Sequence, residues 1–286
     1  MQKQFHQKCV VALLAMAFTG ISYAEDMKKT DMQKVTGLKM PESVVQAKDG
    51  TIYISEINGF DKDGDGQISK LDANGKLTVF ATGLDDPKGL AIVGDKLYVA
   101  DKTRIVEIGA DGKWKEFVSA AAFASKPKFL NDLAADKEGN LYVSDSGDLK
   151  SGGQIYKISK DGSAKLIADS KNKDVLAPNG LLADGKNQLL EVDFESGILY
   201  RINLSNGKLT KLAEGFGGAD GLVKTPSGKI FISDWKTGKV YKVGNGKAVL
   251  IKEGYQSAAD IALTNDGKTI MVPDMKAGEL DFIPAK

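Results

Sequence analysis

Residues 61–72 read DKDGDGQISKLD, with Asp61, Asp63 and Asp65 at alternate positions and Gly66 directly after them. Oxygen side chains at loop positions 1, 3 and 5 and a glycine at 6 let a loop wrap Ca2+. A complete EF-hand also needs a helix that returns the twelfth residue, here Asp72, to the ion. QISKLD at 67–72 instead aligns with QIYKIS at 154–159, an alternating strand pattern. Strand steps of about 3.3 Å carry Asp72 away from the loop, which excludes the helix-loop-helix sensor. Asp61, Asp63 and Asp65 remain a candidate second calcium loop, with a solvated acidic hairpin as the alternative.

A second constellation is scattered along the chain. Six segments align: PESVVQAKDGTIYISE, PKGLAIVGDKLYVAD, LNDLAADKEGNLYVSD, PNGLLADGKNQLLEVD, ADGLVKTPSGKIFISD and AADIALTNDGKTIMVPD. Their second residues are Glu42, Lys88, Asn131, Asn179, Asp220 and Ala259, and each segment closes on an acid: Glu56, Asp101, Asp145, Asp193, Asp234 and Asp274. Two carboxylates and two amides at equivalent places make an oxygen-only set. Such a set suits a hard divalent cation, Ca2+ first, with Mg2+, Mn2+ or Zn2+ as alternatives. Without a cation, two facing buried carboxylates raise each other's pKa. A hydrogen-bonded structural plug is the competing reading. The closing acids recur whether or not the second residue is polar, so they read as architectural acceptors of backbone N–H groups in the following turn.

The elements that must position these residues follow from the repeat. Each segment holds two strand-like runs around a glycine turn, and another pair follows, as in QIYKISKDGSAKLIA and KVYKVGNGKAVLIKE. Turns such as KDG, SNG and GNG supply residues that tolerate positive φ. Four strands per unit of about 40–45 residues is propeller spacing. The expectation is an all-β, six-bladed β-propeller with four antiparallel strands per blade. The sixth unit stops at its third strand, and DMQKVTGLK at 31–39 is expected to pair with it and close the ring. A propeller's first strands line its central channel, which brings Glu42, Asn131, Asn179 and Asp220 together. No stretch has a convincing helical period; VSAAAFAS at 118–125 is one short turn at most.

Composition narrows the chemistry further. Residues 1–24 carry a basic start, the short apolar run VVALLAMAF and SYA before a small-residue cleavage point, the pattern of a signal peptide. The expectation is export, to a bacterial periplasm, with residues 25–286 forming one propeller domain. His6 and Cys9, the chain's single histidine and single cysteine, both lie in the leader. The mature chain then has no thiol or imidazole, which excludes Ser-His-Asp triads, Cys nucleophiles and zinc sites built on His or Cys. Of 39 basic residues the leader takes Lys3 and Lys8, and none of the 38 acids, leaving a net charge of −1. A near-neutral chain with no basic block is not a nucleic-acid binder, and no later stretch is apolar enough for a membrane span. A monomer with a small-molecule partner is expected.

PESVV, LNDLAADKEGNLYVSD, PNGLLADGKNQLLEVD and ADGLVKTPSGKIFISD resemble the core motifs of the regucalcin/gluconolactonase family of six-bladed propellers, with NHL-like blades. The resemblance implies a divalent metal held by Glu42, Asn179 and Asp220. It implies Asn131 beside the metal, contacting substrate, and Asp220 as general base in lactone hydrolysis. One departure bears on substrate: family members acting on sugar lactones often carry Arg two residues before the ND motif, where this chain has Phe129. Phe cannot offer a guanidinium's fork of donors to sugar hydroxyls. Phe194 and Trp235, each directly after a closing acid, are candidate pocket walls together with Lys88 and Phe129. Lys88 reads as a solvated lysine beside the acidic ring, with an ammonium facing an anionic substrate as the alternative. The leading function is metal-dependent hydrolysis of a lactone or related small ester. The alternative is a non-catalytic propeller that binds a small ligand or a protein.

Overall fold

The structure, a computed structural model, describes residues 34–60 and 62–286. The expected leader, residues 31–33 of the expected closing strand, and Asp61 lie outside the described residues.

The chain is all-β, and its one described helical element is a 3-10 turn at Ala120–Ala122. Most strands fall into four-stranded sheets in simple up-and-down order. One example is the antiparallel run Leu130–Ala135, Leu141–Asp145, Gln154–Ile158 and Ala164–Asp169. Two further runs of this kind join into one eight-stranded sheet through a single parallel pair, Glu214 opposite Lys247. The last sheet takes a strand from the other end of the chain: Val35–Thr36 pairs with Glu279–Pro284, Val35 opposite Leu280.

Local sequence explains the hairpins. Asn245 and Gly246 both sit at positive φ, 50° and 73°, which suits a two-residue turn between Lys239–Gly244 and Lys247–Glu253. Apolar side chains alternate along the strands and meet between consecutive sheets. Ile68 and Leu84 of one sheet pack on Leu90 and Val99 of the next. Ile105 and Val118 pack on Leu130 and Val143 in turn.

The first strand of each unit packs against the first strand of the next. Pro41–Gln46 lies against Pro87–Val93, Leu130–Ala135 against Pro178–Ala183, and Ala262–Leu263 against Pro41–Gln46. No described helix is long and apolar enough to cross a membrane.

The segment at 66–71 is a strand. Gly66–Leu71 pairs antiparallel with Ile52–Glu56. Asp72 caps the following turn, accepting the N–H groups of Asn74 and Lys76 at 2.8 and 2.9 Å. Residues 62–65 therefore lie in a loop between two strands.

Candidate active site

Five of the six first strands carry the same irregularity. Pro41 pairs with Glu56 and Val44 with Ile54, so Glu42 and Ser43 face Ser55 alone. Equivalent register breaks lie between Pro87 and Leu90, Leu130 and Leu133, Pro178 and Leu181, and Ala219 and Leu222. Two residues against one is a β-bulge, which bends the strand and re-aims a side chain. The bulge therefore sits at the second residue of these five units. Its neighbour decides how closely the units approach. A Cβ on Gly180 would lie 2.3 Å from the Asp220 carbonyl oxygen, and one on Gly221 2.2 Å from the Ile261 nitrogen. Glycine at these third positions lets the strands that carry Asn179 and Asp220 come together.

The result is a cavity of about 460 Å3 lined by Glu42, Asn131, Asn179 and Asp220 together with Lys88, Phe129, Phe194 and Trp235. All four polar residues are buried, between 2 % and 5 % exposed. Three of them hold a buried oxygen with no hydrogen-bond partner: Glu42 Oε2, Asn179 Oδ1 and Asp220 Oδ1. Asn131 is held differently. Its amide nitrogen donates to Ser146 Oγ at 3.0 Å, and that hydroxyl donates to the Pro178 carbonyl at 2.7 Å. This leaves the Asn131 carbonyl oxygen for a ligand.

Burial pushes the Glu42 carboxyl well above the usual range, and the charge on Asp220 adds to it while Lys88 opposes it. Asp220 is raised well above its ordinary value by burial, then by Asp132 and Asp234, with the Asn179 amide acting the other way. Buried polar atoms are normally satisfied, so three unpartnered oxygens on one wall mark a place for a ligand. The donor set fits a hard cation by chemistry. Among the described residues no three His, Cys, Asp or Glu side chains gather to hold an ion, so the set reaches four oxygen donors only through the two amides.

Sequence reasoning placed Lys88 in solvent, and the structure overturns this. Lys88 is 2 % exposed. Its Nζ donates to the Asp86 carbonyl at 3.2 Å and lies 4.3 Å from the Phe129 ring centroid and 5.8 Å from that of Phe60. Burial lowers its pKa, against the pull of Asp86 and Glu42. The long stem reaches from the bulge into the aromatic wall, where π faces take the place of water.

Two further buried acids lie outside the second-position pattern. Asp132 and Asp260 occupy third positions, where other units carry glycine or serine. Asp132 accepts the N–H groups of Leu133 and, from the next unit, Leu181, both at 2.6 Å. Burial raises its pKa to about 6 in spite of these bonds. Asp260 accepts from the Ser43 hydroxyl, and Ser43 Oγ in turn accepts the Leu90 N–H at 3.2 Å. These side chains stitch one first strand to its neighbours. The alignment displayed them, but nothing in it tied the third position to a partner in another unit.

The closing acids accept backbone N–H groups, chiefly from the residues that lead into their own first strand. Asp193 takes Leu176 and Ala177 at 3.0 and 2.8 Å and Ser196, in the following turn, at 2.8 Å. Asp274 takes Gln256 and Ser257 at 2.8 and 2.9 Å. In the loop, Asp63 forms an ion pair with Lys102, and Asn58 donates to the Asp65 carbonyl. Asp65 Oδ1 has no partner.

Bulged first strands facing a polar cavity, within successive four-stranded antiparallel sheets, define a propeller-like, all-β fold. Solved structures of the gluconolactonase and regucalcin type share this fold. The calcium-binding protein regucalcin from Agrobacterium tumefaciens matches with a TM-score of 0.71 at 18% identity, over 87% of this chain and 91% of that one. A gluconolactonase from Xanthomonas campestris matches with a TM-score of 0.71 at 17% identity, over 88% and 89%. Virginiamycin B lyase from Staphylococcus aureus matches with a TM-score of 0.62 at 14% identity, over 89% and 99%. At these identities the likeness establishes the fold. No protein-family model and no curated protein matches the sequence.

Proposed function

We propose that this chain is an exported, divalent-cation-dependent hydrolase of lactones or related small esters. Its fold on this reading is a six-bladed propeller over residues 25–286, released from the leader at 1–24. The Val35–Thr36 strand closes the ring. The observation that carries the proposal is the set of unpartnered buried oxygens on Glu42, Asn179 and Asp220, opening on one cavity with Asn131. These four residues would hold the ion, Ca2+ being the best match to an all-oxygen set.

A bound dication supplies Lewis acidity to a carbonyl oxygen and relieves the repulsion between Glu42 and Asp220. Asp220, its carboxylate kept ionised by the bound cation, would serve as general base toward an attacking water. Asn131, fixed through Ser146, orients the carbonyl group. The aromatic wall excludes bulk water. Likeness to a gluconolactonase supports the reaction class, and likeness to a calcium-binding regucalcin supports the ion.

Elemental analysis together with a panel of lactones and aryl esters, with and without EDTA, tests the proposal. EDTA-sensitive turnover that disappears in Asp220→Ala is expected. Stoichiometric metal without turnover on any substrate would sink the hydrolase and leave a binding propeller.

A further inference from the structure

The geometry points to a substrate with an apolar or aromatic body, an alkyl- or aryl-substituted lactone or ester, and not a polyhydroxylated sugar lactone. The inference rests on the hydrolase reading above and names the substrate class of that site.

The cavity divides into a polar floor and an aromatic wall. The floor holds the axial acids and amides. On one side of the wall Phe60 and Phe129 stand with ring centroids 6.4 Å apart, and on another Phe194 and Trp235 are 6.3 Å apart. Lys236 lies 4.4 Å from the Phe194 centroid and Lys276 lies 4.3 Å from that of Trp235, so an ammonium braces each ring. Trp235 is further anchored by its indole N–H, which points to Met275 Sδ at 3.1 Å.

A sugar lactone presents several hydroxyls, and each needs a partner once buried. Beyond the floor the lining supplies few: Lys102 is paired with Asp63, which leaves Lys128 and the unpartnered Asp86 Oδ1. Its buried cation, Lys88, is turned to the Asp86 carbonyl and to the Phe129 and Phe60 rings. The indole donor of Trp235 is spent on Met275. What the wall offers is π surface, which gains by covering alkyl or aryl groups. A substrate that fits both regions has one carbonyl group at the floor and an apolar body against the rings.

The experiment measures kcat/KM over γ-lactones of increasing alkyl tail length and over glucono-δ-lactone. In parallel, tail-length-dependent binding of 2-alkylcyclopentanones, which cannot be hydrolysed, is followed by Trp235 fluorescence in a Trp114→Phe background. The expected result is a rise of up to about fourfold in kcat/KM per methylene until the cavity is filled. Glucono-δ-lactone should be the poorest substrate, and both trends should flatten in Phe129→Ala. Phe129→Leu, which keeps more of the packing, should flatten them less. A flat series with glucono-δ-lactone hydrolysed best overturns this inference and leaves the hydrolase intact. If no lactone turns over, the hydrolase reading fails. Tail-dependent cyclopentanone binding then still supports the apolar site, and its absence overturns it.

Discussion

The second positions of the first strands and the closing acids of the second strands both bury carboxylates, and the two sets behave oppositely. Asp193 is fully buried, and its two oxygens accept three backbone N–H groups. Asp220 is also buried, yet one of its oxygens has no partner and burial drives its pKa up. The first kind of carboxylate completes the fold. The second is a cost that the fold carries, and such costs gather where a ligand is to be received. The difference lies in the backbone. A closing acid stands beside the segment leading into its own first strand, whose N–H groups have no ladder partner. A second-position residue stands on a bulge, and there Asp220 Oδ1 meets no hydrogen-bond donor.

The contrast can be broken from the functional side first. Asp220→Ala is expected to lower lactone or ester turnover by roughly 10²–10⁴-fold, with a melting temperature, measured in EDTA, no lower than that of the parent chain. A matching fall in stability would make Asp220 a structural acid like the others. Asp193→Ala should show the reverse pattern. Three amides lose their acceptor, which costs on the order of 3 kcal/mol. Denaturant melts should report that loss while kcat of the folded fraction is kept.

Glu191 sharpens the comparison outside the cavity. It is 1 % exposed, and neither carboxyl oxygen has a partner. It sits opposite Leu181, in the register held by Ile54, Val99, Val143 and Ile232 in other units. Burial raises its pKa well above the ordinary value. The folded state therefore favours the neutral acid, and stability falls as pH rises from about 4.3, the unfolded value, toward the raised folded one. Glu191→Leu should stabilise by about 2 kcal/mol at pH 8. The gain should shrink toward pH 4, read as the difference in melting temperature across that range. A pH-independent difference would show that the carboxyl is not the cause.

The smallest effect belongs to the 61–65 loop. Asp63 is already served by Lys102 across an exposed ion pair. Asp63→Ala should change stability by less than about 0.5 kcal/mol and leave calcium stoichiometry, measured by equilibrium dialysis, unchanged. A lost equivalent of calcium would restore the loop as a second site.

Much of this was legible in the chain. Strand alternation, glycine turns and the recurring closing acid mark four-stranded units, because each is enforced within a dozen residues by backbone pairing and turn conformation. Glu42, Asn131, Asn179 and Asp220 were found as a set because the repeat assigns them equivalent places. The rejection of the EF-hand was equally local, since QISKLD carries a strand period.

Tertiary structure decided the rest. Lys88 looks solvated in DPKGLA, and only the neighbouring unit's Phe129 and the loop's Phe60 show it to be enclosed. Asp132 and Asp260 look like ordinary polar residues until the adjoining strands bring Leu181 N–H and Ser43 Oγ to them. Sequence fixes which groups lie on one strand and which way they alternate. Whether Lys88, Asp132 and Asp260 find a partner depends on what another unit places against them, 49 residues away for Asp132 and 217 for Asp260. Asp193, by contrast, finds its donors within 17 residues, in its own unit, and Asp220 Oδ1, carried on the bulge, meets none.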